Sequence, residues 1–215
     1  MNLRILLTSG SLIFYCGAVA QNLGHWTDVT TEVGLENYPT SRVKLSDLDG
    51  DKWPDVILLP ETNHREPPTV FLHQGIAGAS NQPHFKKISN TGLPALSRAD
   101  VLVFSDLNND GISDAVLGRY LDIYQETYKP PEHPPQRTAW LPGMGDGSFG
   151  EPRIIEAAPP ATTRAIAIGD ANLDGLPDLY LGNWYERYFT GYEAFSNDLL
   201  LQLSEQGSPS FVRWA

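Results

Sequence analysis

Cysteine and long apolar runs are scarce in this sequence, and both shortages limit what the chain can be. The only cysteine among its 215 residues is Cys16, so a disulfide framework within the chain is excluded. The most apolar stretch, residues 5–19, is interrupted by Thr8–Ser11 and is too short to make a good membrane span. We therefore predict no membrane span. Bound metal is one candidate for the stabilisation that disulfides do not supply.

The first twenty residues predict a cleaved signal peptide. Arg4 supplies a positive start, an apolar stretch follows, and Ala18-Val-Ala20 has the small-x-small form that signal peptidase recognises. Lipoprotein processing requires a small residue before the cysteine, whereas Tyr15 precedes Cys16. We therefore expect a mature chain, 21–215, without cysteine, and a location that is secreted, periplasmic or at the cell surface.

Positive charge is also scarce, because 15 Lys and Arg stand against 26 Asp and Glu, for a formal net charge of −11. An acidic surface argues against nucleic acid and anionic membrane as partners. Scattered acidic residues need no explanation beyond solubility. Ten of the 26 acidic residues, however, lie in three short strings, which indicates that these ten serve as ligands.

Three nine-residue strings repeat one acidic spacing. They are Asp47–Asp55 (DLDGDKWPD), Asp106–Asp114 (DLNNDGISD) and Asp170–Asp178 (DANLDGLPD). Each string has Asp or Asn at positions 1, 3, 5 and 9, which brings hard oxygen ligands into one small volume, as Ca²⁺ requires. The triplication itself predicts a repeat protein.

Each string is predicted to hold one structural Ca²⁺ through four side chains and the backbone carbonyl of position 7, with water completing the shell. Alternate positions serve because an extended or turning loop presents every second side chain to the same side. The predicted ligands are Asp47, Asp49, Asp51, Trp53 and Asp55; Asp106, Asn108, Asp110, Ile112 and Asp114; and Asp170, Asn172, Asp174, Leu176 and Asp178.

Other interpretations of the strings fit less well. An EF-hand needs a bidentate Glu at position 12 and flanking helices, but position 12 is Leu58, Leu117 or Leu181, inside a strand-like run. Asp, Asn and Gly also form turns without metal, but three equivalent copies argue against that for carboxylates that repel one another. Zn²⁺ is disfavoured because the strings lack His and Cys, and Mg²⁺ suits such a cage poorly.

Strand-like runs surround every string in the same order. One run precedes the string, a second follows it directly, and a third and a fourth come after variable gaps. The runs are 41–46, 55–59, 69–73 and 85–88; 100–105, 114–118, 138–141 and 149–155; and 164–169, 178–182, 198–202 and 211–214. Because the strings start 59 and 64 residues apart, these units match the four-stranded blades of a β-propeller.

We therefore predict an all-β chain, 21–215, that forms three four-stranded antiparallel propeller blades. The blades span approximately 31–90, 91–156 and 157–215, and residues 25–30 resemble an extra outer strand. The first strand of each blade is expected to line a central channel and to be buried on both faces. Propellers generally have four to eight blades, so three predict either part of a larger ring or self-association through open edges.

The strings, with the strands that follow them, resemble the FG-GAP and VCBS repeats of integrin α-subunit propellers. Three further segments, Trp26–Leu35, Gly182–Tyr185 and Asn197–Leu201, are similar to the ASPIC and UnbV type, the cartilage acidic protein relatives. The resemblance covers nearly all of the mature chain and implies a Ca²⁺-stabilised propeller that serves in binding or adhesion. Lys52 departs from the pattern, since glycine is usual at this sharply turning position.

No catalytic pattern is evident. The histidines at 64, 73, 84 and 133 have no recognisable spacing from a nucleophile, and Gly-x-Ser-x-Gly does not occur. We predict a binding module for an extracellular protein or glycan, without enzymatic activity. The alternative is an enzyme, or an enzyme accessory, that acts on extracellular glycans or lipids and uses the propeller as a scaffold.

Aromatic residues are concentrated in the gaps between second and third strands, which strand direction places on the rim opposite the strings. In the second and third blades these gaps are 119–137 and 183–197. The rings either fold back as local core or form a binding platform. They belong to Tyr120, Tyr124, Tyr128, Trp184, Tyr185, Tyr188, Phe189, Tyr192 and Phe195.

Overall fold

The structure is a computed structural model that describes residues 6–8, 11–13, 28–38, 40, 42–61, 65–77, 82–97, 99–120, 136–184, 194–204 and 207–214. Within these ranges every regular element is a β-strand. None of the described residues belongs to a helix that is long and apolar enough to cross a membrane.

Fourteen strands are described, and the predicted all-β class is confirmed. The first two, β1 (Leu6–Thr8) and β2 (Ser11–Ile13), pair as a separate short hairpin within the predicted signal peptide. The other twelve are β3 (Arg42–Ser46), β4 (Asp55–Leu59), β5 (Thr69–Ala77), β6 (Gln82–Ile88), β7 (Val101–Ser105), β8 (Asp114–Gly118), β9 (Ala139–Leu141), β10 (Arg153–Ile154), β11 (Thr163–Gly169), β12 (Asp178–Asn183), β13 (Asp198–Gln202) and β14 (Phe211–Trp214).

These twelve strands form three four-stranded sheets, each made of consecutive antiparallel neighbours. Sheet 1 contains β3 to β6, sheet 2 contains β7 to β10, and sheet 3 contains β11 to β14. Each sheet corresponds to one predicted blade, and most strand boundaries agree with the predicted runs to within a residue. The number of blades in a complete ring, and its closure, stay predictions.

The fourth strand of sheet 2 is shorter than predicted. The sequence predicts strand from 149 to 155, but β10 contains only Arg153 and Ile154. Phe149 instead donates its N–H to the carbonyl of Thr91, which lies between sheets 1 and 2, at 2.8 Å. Phe149 thus bonds to the segment before β7, and an isolated antiparallel bridge with Gly143 links it to the end of β9 in place of a continuous ladder.

The segment before β3 is a turn in its described part. Of the predicted outer strand at 25–30, residues 25–27 lie outside the described residues. Asp28 accepts hydrogen bonds from the N–H and the hydroxyl of Thr30, which favours a turn over an extended strand. Further along, Val33 is buried and Tyr38 packs edge-on against Phe71 of β5 at 4.8 Å, so this segment covers part of sheet 1.

Two apolar layers fill the spaces between the sheets. Between sheets 1 and 2, Ile57 and Val70 pack with Leu102, Leu117 and Leu141. Between sheets 2 and 3, the layer contains Val116 and Trp140 with Leu179, Leu181 and Leu200. Side chains alternate along each strand, so sheet 2 supplies one face to each layer.

The expectation that every first strand is buried on both faces is wrong for sheets 1 and 3. Val43 and Leu45 of β3 are 52% and 65% exposed, and Ala165 and Ala167 of β11 are exposed. Among the described residues, the middle first strand, β7, is the only one with a neighbouring sheet on each side. The exposed faces belong to the two sheets with one neighbour each.

Candidate metal sites

Each acidic string forms the hairpin loop between the first and second strands of its sheet. The residue before the string pairs with the ninth residue in every copy, as in Ser46 with Asp55, Ser105 with Asp114, and Gly169 with Asp178. All three loops therefore start from the same register and lie at the same end of their sheets. We number loops 1 to 3 after their sheets.

The Asp at the ninth position is buried in every loop and bonds two separate backbone segments. Its Oδ2 accepts the N–H of the second loop residue, at 2.7 Å from Leu48, 3.0 Å from Leu107 and 2.8 Å from Ala171. Its Oδ1 accepts an N–H from the third strand or just after it: at 2.7 Å from His73 within β5, at 2.8 Å from Gly143 after β9, and at 2.9 Å from Gln202 at the end of β13. Asp55, Asp114 and Asp178 therefore tie the loop to the third strand of the sheet.

The three donors from the third strand were missed by the sequence analysis. His73, Gly143 and Gln202 contribute their backbone N–H, and every residue except proline has that group. Residue type therefore gives no signal, and only the aligned register of the repeats would have found them. Gln202 adds a side-chain bond from Nε2 to the carbonyl of Leu107 at 2.8 Å, which connects sheet 3 to loop 2.

The first and fifth positions organise the loop backbone. In loop 1, Asp47 accepts the N–H groups of Gly50 and Lys52, and Asp51 accepts that of Trp53 at 2.8 Å. In loops 2 and 3 the first Asp accepts from positions 5 and 6, and the fifth Asp again accepts from position 7. These bonds close the loop so that its carboxylates converge.

Two left-handed residues give each loop its shape. Positions 4 and 6 have positive φ in all three copies: Gly50 (80°) and Lys52 (72°), Asn109 (56°) and Gly111 (87°), and Leu173 (63°) and Gly175 (89°). The predicted sharp turn at Lys52 is confirmed. Each loop thus has one glycine and one residue with a side chain at these positions, and Leu173 and Lys52 carry the backbone strain that a bulky side chain incurs there.

Loop 1 brings three carboxylates together. Ligand atoms of Asp47, Asp49 and Asp55 all lie within 4.8 Å of one another. Three anionic oxygens at this separation fit a hard cation such as Ca²⁺, and without a cation they repel. Of the predicted side-chain ligands of this loop, Asp51 is outside the group, and its Oδ1 accepts the N–H of Trp53.

Burial makes the carboxylates harder to ionise when no cation is present. The pKa of Asp55 is raised to about 6, mainly by burial, against the opposing effect of the N–H groups of His73 and Leu48. Burial likewise raises the pKa of Asp114 to about 6, and it also raises the pKa of Asp49. A bound divalent cation would compensate the buried negative charge.

Loops 2 and 3 differ from loop 1 at the third position. Asn108 donates from Nδ2 to Asp110 at 2.8 Å, and Asn172 donates to Asp174 at 2.7 Å. The oxygen of each amide also accepts a backbone N–H within its loop, from Asp110 and Asp174 respectively. The carboxylates and carboxamides of these two loops fit Ca²⁺ by type.

Loop 1 is also anchored by aromatic stacking. The Trp53 indole stacks on the buried His73 imidazole, with centroids 4.8 Å apart and planes within 3°. Phe85 meets the same imidazole edge-on at 5.1 Å. His73 Nδ1 accepts the N–H of Gly75 at 2.8 Å, which fixes the ring orientation. The residue that is predicted to offer a carbonyl ligand, Trp53, is thus held against the third strand.

On the opposite rim, the described residues contain a buried ion cluster that the sequence analysis did not identify. Asp100 is fully buried and pairs with Arg65 and with Arg119, the latter at 3.2 Å. It also accepts the N–H groups of Ser97 and Tyr120, both at 2.9 Å. Asp100 therefore fixes the segment before β7.

The predicted aromatic platform on this rim is described only in part. Trp184 is 40% exposed, its N–H donates to Thr162 at 2.8 Å, and its carbonyl accepts from Phe195 at 3.1 Å. Tyr120 is half-buried under the guanidinium of Arg164, 5.6 Å from the ring centroid. The other six predicted rings lie outside the described residues: Tyr124, Tyr128, Tyr185, Tyr188, Phe189 and Tyr192.

Three comparisons relate the chain to known proteins, and one of them, the family match, concerns its repeats. A search of curated proteins finds no match. Among solved structures, a Tc holotoxin pore of Photorhabdus luminescens is similar, with a TM-score of 0.44 and 18% identity over 83% of this chain; the match covers 7% of the toxin chain. Residues 47–117, from loop 1 to β8, match the FG-GAP-like repeat family. None of these comparisons identifies the ASPIC and UnbV type, which stays a prediction.

Proposed function

We propose that the protein is a secreted, Ca²⁺-stabilised propeller-type module that binds an extracellular protein or glycan, as in adhesion. The match of residues 47–117 to the FG-GAP-like repeat family supports a binding or adhesion module. The observation that carries the proposal is the threefold recurrence of one acidic hairpin, with a buried ninth Asp bonded to the third strand.

In this proposal the acidic loops are scaffold. The ninth Asp of each loop already accepts two backbone N–H groups, and a cation bound between it and the first and third positions would join three strands of one sheet. A shell filled by protein oxygens leaves little room for a substrate. The proposed role is therefore binding without catalysis.

The proposed binding surface is the rim opposite the loops. Trp184 is partly exposed there, and an amphipathic ring of this kind is a common anchor in protein interfaces. The same rim has an open cavity of about 540 Å³, which is lined by the polar residues Arg119, Gln136, Arg137 and Glu156 and by the apolar residues Leu117, Ala139, Pro152 and Ile154. A mixed polar and apolar lining, on the same rim as an exposed indole, is compatible with a protein or glycan ligand.

Isothermal titration calorimetry tests the metal part of the proposal. The chain, stripped with EGTA and titrated with CaCl₂, is expected to bind up to three ions. Asp49→Ala should remove one site and leave the rest. Asp146→Ala is the matched control, because Asp146 is an exposed hairpin residue outside the predicted ligands, with Ser148 as its partner. Absence of Ca²⁺ binding at millimolar concentration would refute a metal-stabilised module.

A glycan array and a panel of immobilised extracellular matrix proteins test the binding part. Binding in Ca²⁺ that is weakened by Trp184→Ala, in a variant with unchanged circular dichroism, is the expected result. Met144→Ala is the control, since Met144 is exposed in the hairpin between β9 and β10, at the end of sheet 2 that carries loop 2. If Trp184→Ala folds normally and keeps all binding, the platform is elsewhere and the rim assignment is wrong.

A further inference from the structure

Each sheet has two faces that can be distinguished by register. We call forward the face that carries the second residue after the ninth Asp, and backward the face that carries the first and third. Ile57 and Val116 are the forward residues of sheets 1 and 2, and each is fully buried against the next sheet. Tyr180 is the equivalent forward residue of sheet 3, and it is 47% exposed.

The forward face of sheet 3 is apolar and has no sheet against it among the described residues. Tyr180 pairs with Leu199, and Leu199 pairs with Trp214, so the three side chains form one row across the sheet. Trp214 is 65% exposed, and Val212, on the same face, is 44% exposed. Exposed apolar groups that are contiguous in this way usually mark an interaction surface.

The backward face of sheet 1 is the complementary open surface. Backward residues are buried in sheets 2 and 3, where Leu102, Leu117, Leu179 and Leu181 fill the two apolar layers. In sheet 1 the backward residues Val43 and Leu45 of β3 are exposed, whereas Val56 and Phe71 on the same face are buried, Phe71 beneath Tyr38. The described residues therefore leave an open forward face on sheet 3 and a partly open backward face on sheet 1.

The segment before each first strand also belongs to the packing between sheets. Leu93 and Leu96, before β7, lie in the layer between sheets 1 and 2. Ile155 and Ala158, before β11, lie in the layer between sheets 2 and 3. Residues 28–38, before β3, occupy the equivalent place, since Tyr38 packs on Phe71 of the backward face. Sheet 1 thus already has its own segment in place for a further sheet.

We infer that these two faces bind each other between copies of the chain, so that two copies close a six-bladed ring. The contact repeats the forward-to-backward packing seen twice within the chain, and such a heterologous contact closes when the rotation per sheet completes a circle. Two copies of a three-sheet unit give six blades, within the four to eight that propellers have. Each open face has its complement at the other end of the same unit, so a second copy is the occupant that this packing specifies.

The loops give an atomic marker for this contact. Ser46, which precedes loop 1, donates its hydroxyl hydrogen to the Oγ of Ser113, the eighth residue of loop 2, at 3.0 Å. By register, Gly169 of sheet 3 corresponds to Ser46, and Pro54 of a second copy corresponds to Ser113. A Cβ on Gly169 would meet nothing within 4 Å, so this position is open for a second copy. A cysteine at each of these two positions should form a disulfide between copies.

Sedimentation equilibrium of the whole chain in Ca²⁺ is the first test, and a mass of two chains is expected. Leu45→Asp and Trp214→Asp alter opposite faces and should each give monomers, because every copy contributes both faces. An equimolar mixture of the two variants should recover dimer, since one interface then has two unaltered faces. Met144→Asp, at an exposed hairpin residue, is the control and should stay dimeric.

The disulfide test does not depend on how the aspartate variants fold. In a Cys16→Ser background, the double variant Pro54→Cys, Gly169→Cys should give oxidised dimers on a non-reducing gel, and Pro54→Cys, Met144→Cys should not. A monomer at all concentrations, or a chain without cross-links, would overturn the inference. So would a dimer that Trp214→Asp dissociates and Leu45→Asp leaves intact, because that pattern belongs to a symmetric contact of two sheet 3 faces.

Discussion

Replacement of the buried ninth Asp by alanine should strongly destabilise the protein even when no Ca²⁺ is present. Asp178 is 1% exposed and accepts the N–H of Ala171 at 2.8 Å and that of Gln202 at 2.9 Å. Asp178→Ala leaves the buried N–H of Gln202 without a partner, at a cost of about 1–3 kcal/mol, and removes a hydrogen bond from the partly buried N–H of Ala171, at a cost of about 1 kcal/mol. The expected loss is therefore about 2–4 kcal/mol, a large part of the stability of an ordinary domain.

The assay is urea denaturation in EGTA, with Asp174→Ala as the matched variant in the same loop. Asp174 is exposed and accepts the N–H of Leu176 at 2.9 Å from a solvent-accessible position, so its loss should cost about 1 kcal/mol or less. In saturating Ca²⁺ both variants should lose the contribution of loop 3. Equal losses for the two variants in EGTA would refute the assignment of Asp178 as the structural tie between the loop and β13.

Three further predictions concern pH, a glycine and the buried ion cluster. In EGTA, raised pKa values near 6 for Asp55 and Asp114 mean that the folded state holds these protons more tightly than the unfolded state. Their contribution to the free energy of unfolding is thus lost as pH rises from about 4 to 6, by about 1.4 kcal/mol per pH unit for each group. Urea denaturation of the unaltered chain and of the double variant Asp55→Asn, Asp114→Asn should show this pH-dependent difference in EGTA and not in Ca²⁺. Gly92→Ala should cost about 3 kcal/mol or more in urea denaturation, because φ is 69° and the new Cβ would collide with the carbonyl oxygen of Phe149; little change would contradict that contact. Asp100→Ala should lower the free energy of unfolding by about 3 kcal/mol, which is near the lower limit for a buried ion pair because the two arginine partners are partly exposed. The difference in stability between this variant and the unaltered chain should persist at high salt concentration.

Much of the strand pattern was predictable because the repeat supplies three aligned copies of one unit. The runs at 55–59, 114–118, 198–202 and 211–214 are strands with the predicted bounds. The first two of these strands begin at the ninth Asp of an acidic string, so local sequence is sufficient to predict where they start. The run at 149–155 failed because Phe149 bonds to Thr91, a residue 58 positions earlier, and local sequence cannot reveal such a partner.

The acidic side chains of the candidate sites were predictable by type and spacing, but their division of roles was not. The sequence treats the ninth Asp as a closing ligand like any other. The structure adds the backbone partners of Asp55, Asp114 and Asp178, which depend on the register of the third strand beside the second. The third position also separates the loops, since Asn108 and Asn172 donate to a neighbouring carboxylate.

Exposure of the first strands could not be foreseen from their apolar composition. Val43 and Leu45 have the same character as Leu102 and Phe104, yet only the latter pair has a sheet against it. Burial depends on how many neighbouring sheets are present, which is a property of the assembly. The same observation is the basis for the inferred ring of two copies.

The melting temperature of the chain in excess Ca²⁺ and in EGTA tests the central claim most directly, because every loop is proposed to join strands through a bound ion. A ligand that binds only the folded state at a hundred times its dissociation constant adds about 2.7 kcal/mol per site, which corresponds to several degrees or more for a chain of this size. We predict a clear rise with Ca²⁺, reversed by EGTA and smaller in Asp49→Ala. A melting temperature that is the same in Ca²⁺ and in EGTA would contradict the account.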